Sequence, residues 1–552
     1  MSDIEVSVVE ATRLGPKANG EKAVPLSLLD CTTADFAAGS AIWLYKRPQV
    51  AGADKCSLLG YHMRNSLAAT LEAYPQWCGQ LKIVNSTDGS IPLEGKDFPA
   101  HARRFGRIYA HYGTPKDPGV EFVWARSSTT LQSIYPENRT TEHPLWNCHS
   151  VPLQKFMPAV ALANPLQPNV KDDVGELRPL LAIQVTQLGC GAFVLALKST
   201  HPMADAAGFM YLLRDWAKVS TSFLAGEAVP SLSPLFEPSL LDNQAAGDIN
   251  ASQPDQALIE KAKSLPMHRY DWWASAPTCP WPFQIPAPFA TQEIEPVGKV
   301  MPWSEWNLAT PVSNYIIHLT CEQVDILWER ANEGVSQKLS RHDAVLAHIW
   351  SCITRARNLG GDAGPVHCDL VYGVRPSFQL SEKFLGSPIV MMNIELPGSD
   401  VAAPLGLNTV ATQVRETLRK VVDPSNMAAH VHSVAYEKSP QRIWQAFLGK
   451  RHILVTTWGR TGIYDIDFGL GSSCVFAEGV VPDMDGNVLI KEAPALGKKP
   501  GQSSSSYWTD NGVDISVRIC TEDMERLIKD PRLLPSGKSR SALSTKAISS
   551  KL

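Results

Sequence analysis

Residues 195–217 read "LALKSTHPMADAAGFMYLLRDWA", and the reading of this stretch decides the fold. Its opening closes a strand-like run, "AFVLALKS". With "LLAIQVTQL" before it and "GCG" as the turn, that run predicts a β-hairpin between 180 and 200, with Ile183, Val185 and Leu188 as apolar positions of its first strand. Pro202 biases the backbone of His201 away from the helical region, which puts the histidine on a turn after the second strand. Asp205 then fits a helix N-cap, because Phe209, Leu212, Leu213 and Trp216 mark one apolar helical face downstream.

The rest of the chain sets the frame for that corner. A length of 552 residues exceeds one ordinary core and implies two domains. The apolar fraction is 44%, the charged fraction 19% and the net charge −4, which excludes disorder and argues against nucleic acid as a partner. Eleven cysteines are scattered without a C-x-x-C, so neither a disulfide scaffold nor a zinc ribbon is expected, and a reducing interior is. The start, "MSDIEVSVVEATRLGPK", lacks the pattern of a signal peptide, and no apolar run reaches the length of a membrane span. The N-x-[ST] triplets at Asn85, Asn138 and Asn250 are therefore read as chance matches.

Along the chain, residues 1–224 form an expected N-terminal domain. It includes an amphipathic helix with Leu67, Leu71 and Tyr74 that ends before Pro75 and turns at Gly79 into a strand. Residues 225–310 are rich in Pro and Trp with little periodicity, and read as a crossover between domains. Its tryptophans, Trp272, Trp273, Trp281, Trp303 and Trp306, are expected to clamp it onto a domain surface. Residues 311–535 form a second domain: a helix in "SRHDAVLAHIWSCITRARN", strands in "CDLVYGVRPSF", "GSPIVMMNIELPG", "RHILVTTW", "GVVPDMDGNVLI" and "GVDISVRIC", and a helix in "GLNTVATQVRETLRKVV". This domain is expected to exchange a segment with the first. Residues 536–552 read as a polar tail ending in Ser550-Lys551-Leu552, the form of a peroxisomal import signal, so a peroxisomal matrix location with an import receptor as partner is the expectation.

H-x-x-x-D alone is weak, since 14 histidines make about one chance match expected. A second landmark supports it: "TTWGRTGIYDIDFGLGSS", residues 456–473. The pair resembles the signatures of the BAHD acyl-CoA-dependent acyltransferases, H-x-x-x-D near mid-chain and D-F-G-W-G near the C-terminus. "HPMAD" matches the first and "DFGLG" is a one-residue variant of the second, with Thr457, Trp458 and Arg460 at the spacing the family keeps before it. "SLAATLEAYPQWCGQL", "SRHDAVLAHIW", "GVRPSF…FLGSP" and "VDISVRICTEDMERL" are similar to further family landmarks in the same order.

The resemblance implies an α/β fold of two chloramphenicol-acetyltransferase-like domains with an interdomain solvent channel. It implies His201 as general base and Asp205 as a structural residue paired with Arg375. Asp467, Gly469 and Gly471 would be turn residues of the second motif. A histidine suits the chemistry: its ordinary pKa near 6.5 lets it take an alcohol's proton as a thioester is attacked, and the thiolate leaves without a covalent enzyme intermediate. No G-x-S-x-G elbow and no H-E-x-x-H metal motif is present, so no metal and no permanently bound cofactor are expected, with acyl-CoA as co-substrate. At Leu470 the family's tryptophan, whose indole N–H can steady an oxyanion, is missing. Thr457 or a backbone N–H is the expected replacement donor; Thr457 and Trp458 are candidate contacts to CoA or the oxyanion, and Arg460 a candidate acceptor contact. His342, His348, His430 and His432 are read as core or surface residues.

The expected activity is transfer of a short- or medium-chain acyl group to a hydroxyl of a glycolipid or secondary metabolite by a monomer. Joined to the import tail, it resembles the fungal enzymes that acylate mannosylerythritol lipids. A terpenoid or polyketide alcohol, an amine acceptor and a non-catalytic acyl-CoA binding protein are the alternatives. Condensation chemistry is disfavoured because Thr200 stands where its second histidine belongs.

Overall fold

The computed structural model describes residues 4–16, 20–50, 56–85, 93–136, 143–167, 170–172, 175–274, 276–280, 285–290, 295–495 and 507–537. Two large sheets organise them. In chain order their strands are β1 (Ser7–Leu14), β2 (Gly39–Tyr45), β3 (Val120–Ser127), β4 (Leu145–Asn147), β5 (Leu181–Leu188), β6 (Phe193–Ser199), β7 (Val312–Leu319), β8 (Pro365–Gly373), β9 (Ile389–Pro397), β10 (His452–Trp458), β11 (Cys474–Gly479), β12 (Asn487–Glu492) and β13 (Val513–Cys520). The helices used below are α1 (Leu28–Thr32), α2 (Cys56–Leu71), α3 (Ala206–Ala225), α4 (Arg341–Ala356), α5 (Leu407–Val422) and α6 (Pro424–Tyr436). None of the described helices is long and apolar enough to cross a membrane.

The first sheet has the order β1-β3-β5-β6-β2-β11 and the second β9-β8-β10-β12-β13-β7-β4. Each therefore borrows an edge strand from the other half of the chain. The late strand β11 pairs antiparallel with β2, and the early strand β4 pairs antiparallel with β7. The expected hairpin is present, with Leu181 opposite Ser199. Every residue of β5 is nevertheless buried, because both faces of that sheet are covered. One face packs with α2 and α3 in a core that includes Leu195, Leu213 and Trp216. A second apolar cluster joins Ile42, Val194 and Phe476 of the same sheet to Trp146 and Ile316 of the other. The core of the second half gathers α4, α5 and α6 on the strands around Leu370, Val455 and Ile515.

Two readings are revised here. Within the late run "GVVPDMDGNVLI" only Asn487 onward is strand β12; its first residue, Gly479, ends β11, whose "CVFAEG" joins the first sheet, and a loop lies between them. The 225–310 segment holds more regular structure than its sequence pattern shows, including a helix Gln256–Lys263 capped by Asp255, too short to display a period. Its strand Tyr270–Asp271 pairs antiparallel with Ile443–Trp444. Trp272 packs on Trp444, Trp273 on Phe289, and Trp303 and Trp306 on Phe447. Trp281 and the tail Ser550-Lys551-Leu552 lie outside the described residues.

Lys491 of β12 ties the two sheets together. Its ammonium, fully buried, donates to the Ala477 carbonyl and the Glu478 carboxylate of β11, both at 2.8 Å. Removing one partner of such a pair leaves an unpaired buried charge, so Lys491→Met is expected to cost about 3–5 kcal/mol. Chemical denaturation checks this, and Lys491→Met combined with Glu478→Leu is expected to recover much of the loss.

Candidate active site

The site is built where β6 hands over to α3. His201 begins a single 3-10 turn, His201–Met203, and α3 starts five residues later behind the Asp205 cap. The Asp205 backbone is extended there, and its carboxylate accepts from the Gly208 N–H at 3.0 Å. The same carboxylate takes a two-pronged ion pair from Arg375, which follows β8, at 2.5 and 3.0 Å. The Arg375 guanidinium also donates to the Phe384 and Gly386 carbonyls, and the Asp205 N–H donates to Gly386. Asp205 is thus turned toward the second half of the chain and committed to it.

His201 is partly buried and meets both halves. Its Nδ1 lies 2.9 Å from Ser387 Oγ, and Phe36 sets its ring edge-on at 5.4 Å between centroids. With Nδ1 set against Ser387, Nε2 is the other ring nitrogen, and a proton held on Nδ1 would leave it a lone pair. Burial pushes the imidazole below the ordinary histidine value, against the Asp205 charge, which favours protonation. At neutral pH the ring is neutral.

Two supporting residues were not legible in the motif. Ser387 is fully buried, and its N–H donates to the Asp30 carboxylate of α1 at 2.6 Å. Asp30 forms a capping box with Ser27, and burial pushes its carboxyl up to about 7 against the bonds it accepts from Ser27 and Ser387. Ser27-x-x-Asp30 is a visible capping signature; nothing local in the sequence connects it with position 387.

The second motif lies elsewhere. Ser220 of α3 donates to the Phe468 carbonyl at 2.7 Å, and Phe468 packs on Trp216. Ser220 is fifteen residues beyond Asp205, about 22 Å along the helix at 1.5 Å per residue. Asp467 accepts from the Gly469 N–H at 2.9 Å, and Gly469 and Gly471 have φ of +73° and +61°. A Cβ on Gly469 would meet Thr221 at 2.8 Å, so glycine is required there both for conformation and for space. Leu470 is buried in the core of the first half, which corrects the expectation that it leaves a gap in the oxyanion contacts: its side chain never faces the reacting site. Trp458 is likewise buried among core residues, against Gly479. The Thr457 hydroxyl lies 2.9 Å from His342 Nε2. Arg460 is exposed just past β10, and its charge helps hold His342 below the usual histidine value, after burial.

The remaining histidines divide. His348 bonds the Leu533 carbonyl and His432 bridges Ala246 and Asp255, both structural. His430 lines a narrow apolar crevice with Leu29, Phe36, Val390, Val434 and Ile443. Phe36 joins that crevice to the catalytic corner, since it touches His201 on one side and Trp444 on the other.

Known proteins give this arrangement a context. F. graminearum TRI101, crystallised with coenzyme A and deoxynivalenol, shares the fold, with a TM-score of 0.61 at 15% identity over 93% of this chain and 98% of that one. The fold is that of a two-domain α/β acyltransferase. The Transferase family model matches residues 115–533, and the chain belongs to that family, the BAHD acyl-CoA-dependent acyltransferases. Among curated relatives, acyltransferase AFT15-1 of Alternaria alternata is 26% identical over 90% of each chain. Acyltransferase abl6 of Leptosphaeria maculans is 22% identical over 96% of this chain and 98% of its own. The protein is an acyltransferase.

Replacing Ser387 by alanine removes the side-chain partner of Nδ1 while leaving the fold intact. A hydrogen bond of this kind is worth about 0.5–1.5 kcal/mol, so kcat is expected to fall by up to about tenfold with an unchanged melting temperature. Steady-state kinetics with the family's co-substrate measures it.

Proposed function

We propose that His201 is the general base of a direct acyl transfer. A hydroxyl placed at Nε2 loses its proton to the ring as its oxygen attacks the thioester carbonyl. The tetrahedral intermediate collapses by breaking the carbon–sulfur bond, and the departing thiolate takes the proton back from the imidazolium. The observation that supports this reading is the place of the ring at the junction of the halves, with Nδ1 2.9 Å from Ser387 Oγ and burial holding the imidazole below the ordinary histidine value.

We take the donor to be a fatty acyl group. The crevice beside Phe36 is lined mostly by apolar side chains, with Thr32, His430 and Gln445 among them, and has room for about one water, so it has to widen before an acyl chain can bury there. We assign the acceptor as a hydroxyl of a glycolipid, of which a mannosylerythritol lipid is the specific case, with import into peroxisomes through Ser550, Lys551 and Leu552 as part of the same reading. Support for it is the coincidence of the BAHD-like motifs with the Ser-Lys-Leu tail. A secondary-metabolite alcohol is the second reading, favoured by the fold shared with the protein crystallised with deoxynivalenol.

Purified protein with decanoyl-CoA and a panel of glycolipid and metabolite alcohols separates these. Ester on the glycolipid supports the first reading and ester on the other alcohols the second; free CoA without any ester overturns both. His201→Ala is expected to lower kcat by about 10²–10⁴ without loss of fold. Since the base must be unprotonated, kcat/KM should rise with pH through the ring's titration, with a midpoint below 6.5. A further limb near 7 that vanishes in Asp30→Asn would belong to that carboxyl. A fluorescent fusion carrying the tail should collect in peroxisomes and disperse when residues 550–552 are removed.

A further inference from the structure

At the opposite end of β8 and β10, away from His201, three histidines converge. His367 is near the start of β8, His452 opens β10, and His268 arrives from the 225–310 segment. One ring nitrogen from each lies within 4.8 Å of the others, the only such group of metal-binding side chains found among the described residues. His367 and His452 stack at 4.2 Å between centroids, and His268 sits at 5.0 and 5.4 Å from them. From His367 to Gly373, where the strand reaches Asp205, is about 20 Å at 3.3 Å per residue, so the cluster takes no part in acyl transfer.

We infer that His268, His367 and His452 bind one transition-metal dication of the zinc class, which clamps the 225–310 segment to the second sheet. Three neutral imidazoles are the donor set of known three-histidine zinc sites. The outer contacts of such sites are also present. Asp369, fully buried, accepts from His452 Nδ1 at 3.1 Å, and its other oxygen, which makes no hydrogen bond, lies 3.3 Å from His268 Nε2. His367 Nδ1 lies 3.0 Å from the Asn393 side-chain amide oxygen, Oδ1. Carboxylate and carbonyl partners of this kind orient imidazole ligands and raise their basicity. They leave Nε2 of His367 and His452 and Nδ1 of His268 for the ion. Two nitrogens on one ion at about 2.1 Å are at most about 4.2 Å apart.

The site escapes motif reading because its three ligands come from separate segments. Its occupancy does not depend on the acyl-transfer assignment, and its test uses no turnover. Full-length protein is stripped with a chelator and titrated with Co²⁺, with binding read by visible d–d absorption and native mass spectrometry. One equivalent is expected, giving the intense bands of a low-coordinate nitrogen site that Zn²⁺ then displaces, and Zn²⁺ is expected to raise the melting temperature by several degrees. His268→Gln, His367→Gln and His452→Gln should each abolish both signals, Asp369→Asn should weaken affinity by about 10–100-fold, and the exposed His149→Gln should change neither. Absence of a stoichiometric Co²⁺ species in the wild-type protein overturns the inference whatever the variants do. So does an equal spectrum and melting shift in folded variants.

Discussion

The two-pronged ion pair between Asp205 and Arg375 is the constraint on which the site depends. It takes a carboxylate that already caps α3 and fastens it to the strand end of the opposite half, so that helix, turn and second sheet share one fixed point. Planar guanidinium matched to carboxylate sets direction as well as distance. Because His201 precedes Asp205 by one turn, the imidazole is held against the same interface, and Ser387, the residue after the Gly386 whose carbonyl Arg375 and Asp205 both use, is held with it. The charge of Asp205 is spent on Arg375. The ring therefore feels burial more than attraction and stays neutral, which a proton acceptor requires.

The interface could not persist if the halves were merely adjacent. Each sheet is completed by a strand from the other half, and the borrowed β11 is pinned by Lys491, whose charge lies inside with Glu478. Separating the halves would expose two sheet edges and strand a buried charge, so domain opening at the catalytic junction is costly by construction. The 225–310 segment adds a third seam through the buried Asp271–Arg442 pair and its tryptophans.

What the sequence made legible follows the range of the interactions. The hairpin, the turn at His201, the Asp205 cap and the α4 helix are set by neighbours within a few residues, and local patterning reports them. The Arg375 partner was reachable only through likeness to a family. Ser387 and Asp30 escaped because a capping box and a strand lead-in look ordinary until they meet across the interface. Leu470 was misjudged for the converse reason: a motif residue was assumed to face the chemistry, and the backbone turns it into the core. The three histidines near β8 and β10 are separated by most of a domain in the chain, and no spacing rule unites them.

The position of Leu470 also explains why the two sequence signatures occur together. HPMAD caps one end of α3 and DFGLG packs on its far turns, where Ser220 bonds Phe468 and Thr221 leaves room only for Gly469. DFGLG leads directly into β11, the strand given to the first sheet. The helix is therefore held at its start by the second half's Arg375 and near its end by the second half's returning chain. With both ends fixed, α3 can neither slide nor rotate, and the histidine ahead of it inherits that rigidity. An aspartate and two glycines in the second signature need no contact with substrate to matter for the site; they hold in register the helix that follows His201, the residue proposed as the base.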